Sequence, residues 1–174
     1  GETGLDFAKK KNNKDLQIKS FENHIQSSIN TGIPLIIHQR NSENEIIDIL
    51  KNYQKNNTIR VVFHCFTGSK KLKDFCLDNG YYISLSGIIT FKNAEDLRKN
   101  IKSVPLNNIL VETDSPFLSP VPMRGKQNEP SFIKYTFNFL SELFNVPHEK
   151  FIDTVNNNFY DLFSKAIRYN QIHQ

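Results

Sequence analysis

Four side chains in this sequence stand out as able to bind a metal ion or move a proton together, and three of them sit where a strand should stop. The stretch Asn108-Ile109-Leu110-Val111-Glu112-Thr113-Asp114-Ser115-Pro116 begins apolar and ends in two acids one residue apart. Two earlier stretches, Pro34-Leu35-Ile36-Ile37-His38 and Arg60-Val61-Val62-Phe63-His64, are apolar runs that end in histidine, and Glu2 opens the chain. The carboxyl ends of parallel strands are where α/β sheets and β/α barrels gather their chemistry. His38, His64 and Asp114, with Glu2, therefore read as one rim and one metal site. A single strand-end histidine is more often structural; two on sequential strands beside an acid favour ligation. Imidazole and carboxylate donors suit Zn, Mn or Fe, with Mg or Mn favoured as carboxylates and water dominate. A cation held this way lowers the pKa of a bound water to about 7. Asp114 would then orient or deprotonate that water as general base.

These residues need elements to place them, and the chain alternates accordingly. Residues 1–7 read as a strand and 8–14 as polar loop. Asp15 to Asn30 carry Leu16, Ile18, Phe21, Ile25 and Ile29 at helical spacing, with Gly32 as the stop. Strand 34–38 follows. Ser42 and Glu45 form a capping box for a helix bearing Ile46, Ile47, Ile49, Leu50 and Tyr53. Strand 59–64 leads through Thr67-Gly68-Ser69 into a helix over 70–78 that stops at Asn79-Gly80. Residues 81–86 alternate as a strand, Asn93 caps a helix over 94–103, and strand 108–114 is expected to put Glu112 and Asp114 on one face unless it bends at its end. Helices are expected over 130–145, 147–157 and 158–168. The alternation argues for a parallel sheet or a β/α barrel in one domain.

Composition sets the outer limits. A chain of 174 residues buries roughly 70% of the surface its unfolded form exposes. The charge of +4 and pI near 9.0 lean toward an anionic partner. Lys9 to Lys11, the one tight basic run, reads as a solvated loop. Cys65 and Cys76 are too few for a disulfide framework, so a reducing cytoplasm is the expected setting, and the two thiols read as packing. No apolar run is long enough for a membrane span. His24 and His148 fall on expected helices and read as surface or packing residues.

Two loops extend the site. The turn after His64 can offer backbone N–H groups to a phosphate, and Phe66 can stack on a base. The loop 115–129 is long for a compact domain, and it carries Arg124 and Lys126 just beyond Asp114. An arginine fork suits phosphate.

The motifs GETGLDF, PLIIHQR, VVFHCFTGS, YYISLSG-IITF, ILVETDSPFL and PVPMRGKQNEP resemble, in order and spacing, those of TatD-family metal-dependent deoxyribonucleases. The resemblance covers essentially the whole chain. It implies an α/β fold, a TIM-type (β/α)8 barrel that is incomplete here, with strands matching the fourth to eighth of the family barrel. It implies that Glu2 matches the carboxylate bridging two metals and shares the catalytic work with Asp114, that His38 and His64 match the strand-end histidines, and that Asp114 matches the last-strand aspartate. Arg40, Phe66, Arg124, Lys126, Asn128 and Glu129 fall on the substrate side. The implied reaction is hydrolysis of DNA phosphodiesters, commonly 3′-to-5′ on single strands, with Mg or Mn and with Zn as a possible substitute. Family members also carry an HxH pair on their first strand, and none occurs in this sequence. Residues 1–174 are thus expected to form a single TatD-like hydrolase domain without its N-terminal third. That domain is monomeric in the intact family form, and open barrel edges invite association of this piece. Weak or absent hydrolysis by these residues alone is the corresponding expectation, with a non-catalytic remnant or a superfamily hydrolase of small esters or amides as the alternatives.

Overall fold

The computed structural model describes residues 2–8 and 13–166. The Lys9–Lys11 run and the end of the helix expected over 158–168 lie outside them. Five parallel strands, β1 (Glu2–Asp6), β2 (Leu35–Arg40), β3 (Val61–Phe63), β4 (Tyr82–Leu85) and β5 (Ile109–Val111), pair strictly in chain order. Sequential order without reversal is that of an arc of a β/α barrel, not of a doubly wound sheet, whose order reverses. The arc is open, with β1 and β5 as its edges.

The register defines the two faces. Thr3, Ile37, Phe63, Ile83 and Ile109 are matched across the five strands, and all are buried. This row packs beneath helices α1 (Lys14–Thr31), α2 (Glu43–Gln54) and α3 (Lys70–Asp78). Each fully buried aliphatic or Phe side chain contributes on the order of 1.5–3 kcal/mol. One residue earlier, Glu2, Ile36, Val62 and Tyr82 are matched on the opposite, concave face. Two residues beyond Ile36 and Val62 stand His38 and His64. Period-2 alternation therefore delivers both imidazoles to the concave face at the carboxyl rim.

Helix α1 buries Phe21, Ile25 and Ser28, and its stop is the expected one: Gly32 adopts φ 67° and its N–H closes on Ser28 O at 2.8 Å. Leu16, expected on the same apolar face, is 61% exposed. Helix α2 begins at the expected place without the capping box. The Ser42 hydroxyl, 1% exposed, donates to Leu5 O at 2.7 Å. Glu43 instead reaches α3, where its carboxylate accepts from Ser69 N–H at 2.7 Å and Ser69 Oγ–H at 2.6 Å. α3 ends at Asn79-Gly80 as its sequence indicates.

Beyond β4 a 3-10 turn, Gly87–Thr90, replaces the plain loop. A Cβ on Gly87 would lie 2.1 Å from Leu118 O, so only glycine lets this turn touch the long loop after β5. Helix α4 (Glu95–Ile101) starts from Ala94 and not from Asn93. β5 is three residues long where seven were expected. Glu112 N–H makes one further ladder bond, to Leu85 O at 3.0 Å, and the chain then turns, with Asp114 at φ 56°. Glu112 and Asp114 therefore do not share a strand face.

Residues 130–145 form a 3-10 turn, Pro130–Phe132, followed by α5 (Ile133–Leu143). The two helices expected next are one, α6 (His148–Leu162). The Asn156-Asn157-Asn158 run does not break it, because the buried Asn158 directs its amide away from its own helix and into the fold, donating to Leu106 O at 2.7 Å and Ile109 O at 2.8 Å. Near its C-terminal end Asp161 accepts from Tyr82 OH at 2.7 Å and pairs with Arg60 at 2.9 Å, tying α6 to the N-terminal ends of β3 and β4. No described helix is long and apolar enough to cross a membrane.

Candidate metal centre

The first three ligand candidates converge. Glu2 Oε1 lies 3.2 Å from His38 Nδ1 and 3.1 Å from His64 Nε2, and the two ring nitrogens are 3.4 Å apart. Gly4, the register partner of His38, makes this approach possible: its φ is +125°, and a Cβ there would sit 2.2 Å from His38 O. The sequence spacing of Glu2, Gly4 and Asp6 therefore places two carboxylates on either side of a residue with no side chain.

Each ring is backed by a further carboxylate on its far nitrogen. Glu112 Oε1 is 3.0 Å from His64 Nδ1, and Asp6 Oδ2 is 3.5 Å from His38 Nε2. The second Glu112 oxygen accepts from Ser84 Oγ. A carboxylate only accepts, so with the ring proton of a neutral His64 on Nδ1, facing Glu112, Nε2 would present a lone pair to Glu2. A lone pair and a carboxylate oxygen 3.1 Å apart repel unless a cation or an extra proton lies between them. Two imidazole nitrogens and one carboxylate oxygen are a donor set for a divalent transition ion, so the residues fit the metal expected from sequence. The Glu112 hydrogen bond, with help from the Glu2 and Asp114 charges, holds the His64 imidazole pKa above its usual range against the opposing effect of burial.

Asp114 belongs to a second, overlapping group. One ligand atom each of His64, Glu112 and Asp114 lie within 4.8 Å of one another. Burial raises the Asp114 carboxyl pKa, the charges of Glu112 and Glu2 add to the rise, and His64 and His38 oppose it. The four ligands expected from sequence are thus brought to one rim, with His64 shared by both groups. Cys65, which follows His64 at φ 44°, has its thiol pKa pushed up to about 12 by burial, so it stands as a neutral thiol 3.2 Å from Ser86 Oγ.

The expected substrate-side residues divide. Arg40 is exposed at the end of β2, on a polar hollow of about 360 Å³ shared with Gln39, Asn41 and Thr67. Lys126 is exposed on the long loop. Arg124 is exposed too, but its guanidinium lies 3.7 Å over the Phe91 ring and donates to Ser119 O at 3.2 Å. Glu129 is exposed and accepts from Ser131 Oγ. Phe66 is a correction: it is 3% exposed, with its ring packed under Gly68, so no face is left for a base. Asn128 is another. At 4% exposed, it donates to Thr113 O at 2.7 Å and Phe117 O at 2.5 Å, so its amide clamps the loop instead of meeting substrate. Of the backbone N–H groups that the turn after His64 was expected to offer to phosphate, that of Ser69 is already taken by Glu43.

Four contributors escaped the sequence reading: Asp6, Ser84, Gly4 and Gly87. Period-2 alternation within GETGLD and YYISLS carried the signal for the first two. His24 and His148 lie on α1 and α6, as expected.

The family model described as TatD related DNase matches residues 1–164. An uncharacterized metal-dependent hydrolase of Buchnera aphidicola subsp. Baizongia pistaciae is 44% identical over 164 residues, 94% of this chain and 62% of the relative. The Escherichia coli K12 protein YcfH, also named an uncharacterized metal-dependent hydrolase, is 41% identical over 163 residues, 94% of this chain and 61% of the relative. Among solved structures, the TatD homolog YJJV of Escherichia coli K12 superposes with a TM-score of 0.86 at 28% identity, covering 94% of this chain and 62% of that one. The chain therefore spans about three fifths of the length of the relatives it matches.

Proposed function

Because the chain belongs to the family of TatD related DNases, we propose that it carries the metal-binding and catalytic rim of a hydrolase that cleaves DNA phosphodiester bonds, working from the 3′ end of single strands. The observation that supports this most is the convergence of Glu2 Oε1, His38 Nδ1 and His64 Nε2 within 3.1–3.4 Å of one another, beside Asp114.

Glu2, His38 and His64 would hold the divalent cation, Mg or Mn by preference. Once bound, it supplies an acidified water and neutralises charge on the phosphate oxygens. Asp114 takes the proton of the attacking water, and its raised pKa suits that task, since a base works best near the operating pH. Lys126 and Arg40 are free on the exposed rim to meet phosphate oxygens. Arg124 reaches them by leaving the Phe91 ring or acts by holding the loop. Contacts of this kind position a strand without reading its bases.

Release of nucleotides from single-stranded DNA with excess Mg or Mn tests the reading. Metal-dependent release that disappears on chelation is expected. Turnover of small carboxylic esters or amides with no attack on DNA would overturn it. Cation binding without any hydrolysis would leave a binding module in its place.

A further inference from the structure

We infer that Asp6 is the positioning residue of His38, and that helix α1 holds Asp6 in place through Gln17. The inference rests on reading Glu2, His38 and His64 as the cation's ligands. His38 lies between two carboxylates, Glu2 at Nδ1 (3.2 Å) and Asp6 at Nε2 (3.5 Å). An imidazole that is neutral has one proton to give, and the nitrogen that keeps it is lost as a ligand. Were the proton on Nδ1, it would point at Glu2 and close the site. Placed on Nε2, it points at Asp6 and leaves the Nδ1 lone pair facing Glu2 and His64.

Asp6 is itself fixed at several points. Its Oδ1 accepts from Ala8 N–H at 2.9 Å, which turns Oδ2 toward the ring. Its backbone faces away from β2, and there the Gln17 amide takes both groups. Gln17 Oε1 accepts from Asp6 N–H at 2.9 Å, and Gln17 Nε2 donates to Asp6 O at 3.1 Å. A primary amide offers the donor and acceptor that a neighbouring strand would offer, so α1 holds the end of β1 in place. Glu112 does for His64 what Asp6 does for His38, but on the other nitrogen: Nδ1 faces Glu112 and Nε2 faces Glu2. The two rings thus present unlike nitrogens to one point, and each is aimed by its own carboxylate. Carboxylates that orient ligating histidines are worth about 10–100-fold in metal affinity.

The test needs no substrate, so its outcome is separate from whether DNA is cleaved. Long-range proton–nitrogen spectra of the metal-free protein, labelled with 15N-histidine and held in alkaline solution, read each ring's tautomer. The expected wild-type result is Nε2–H at His38 and Nδ1–H at His64. In Asp6→Ala, Glu2 remains beside the His38 ring at Nδ1, so the His38 proton should shift toward Nδ1 while His64 keeps its pattern. Calorimetry with Mn²⁺ alone should then show affinity about 10–100-fold weaker. Gln17→Ala should move both readouts in the same direction. Nδ1–H at His38 in the wild type overturns the inference, and this readout stands even if a variant fails to fold. An unaltered tautomer and unaltered Mn²⁺ affinity in folded Asp6→Ala overturn it equally.

Discussion

His64 Nδ1 and Glu112 Oε1 lie 3.0 Å apart, joining the end of β3 to a residue one step past β5 across 48 positions of sequence. The bond assigns Glu112 to the far side of the ring from Glu2, so Glu112 aims His64 instead of competing to be its neighbour at the cation. Glu112→Gln keeps the shape and weakens the acceptor. Cation affinity by calorimetry should fall about 10–100-fold. His64→Ala should remove most binding altogether, and unchanged affinity in that variant would take His64 out of the site.

Asp114→Asn separates chemistry from folding. Asp114 adopts φ 56°, a left-handed conformation that asparagine tolerates as well as aspartate does. The variant should therefore keep its melting temperature while losing hydrolysis by roughly 10²–10⁴-fold, the usual cost of a general base. Losses of stability and of activity in step would mark Asp114 as structural.

Lys126→Ala should lower the salt dependence of single-stranded DNA binding by about 0.7 in slope, one phosphate's worth. Arg124→Ala should add a loss of loop order, because its guanidinium rests on Phe91 and on Ser119 O. A changed base preference with an unaltered slope would contradict a phosphate role for Lys126.

Gly4→Ala should damage both stability and the site. The new methyl would lie 2.2 Å from His38 O, at a φ of +125° that L-residues rarely adopt. Strain of this kind destabilises by more than about 1 kcal/mol. Thermal melting should show that loss, and Mn²⁺ binding should weaken with it because β1 and His38 separate. A melting temperature and an affinity equal to those of the wild type would disprove the close approach.

Cys65 should resist alkylation at neutral pH in the folded protein and react after unfolding. Its thiol pKa is raised to about 12 in the fold, and the thiolate is the reactive form. The sign is that of a group protonated in the native state: its stabilising effect is complete below the unfolded pKa and fades as pH rises through the folded value. Rapid labelling of the native chain at neutral pH would refute the burial argument.

The order of elements, the placement of His38 two residues before the end of β2 and of His64 one residue past β3, and the helix stops at Gly32 and Asn79-Gly80 were all close to what the sequence determined, although β2 runs on to Arg40 where it was expected to end at His38. Each depends on local quantities, a hydrophobic period or a residue able to adopt φ > 0, that a few neighbouring residues supply. The candidate metal cluster was legible for the same reason, since parallel strands in chain order bring their carboxyl ends to one rim. What only the tertiary structure decided depends on partners far away in the chain. β5 stops at Val111, so Glu112 swings to His64 and Ser84 and leaves Asp114 on a turn. Ser42 abandons its capping box because Leu5 O, 37 residues earlier, lies within reach, and Glu43 is then taken by Ser69. Phe66 and Asn128 carry side chains suited to substrate, yet the packing of Gly68 over one and the carbonyls of Thr113 and Phe117 around the other leave them none to meet. Side-chain type is written residue by residue; which of several possible partners it meets is set only when distant segments close on one another.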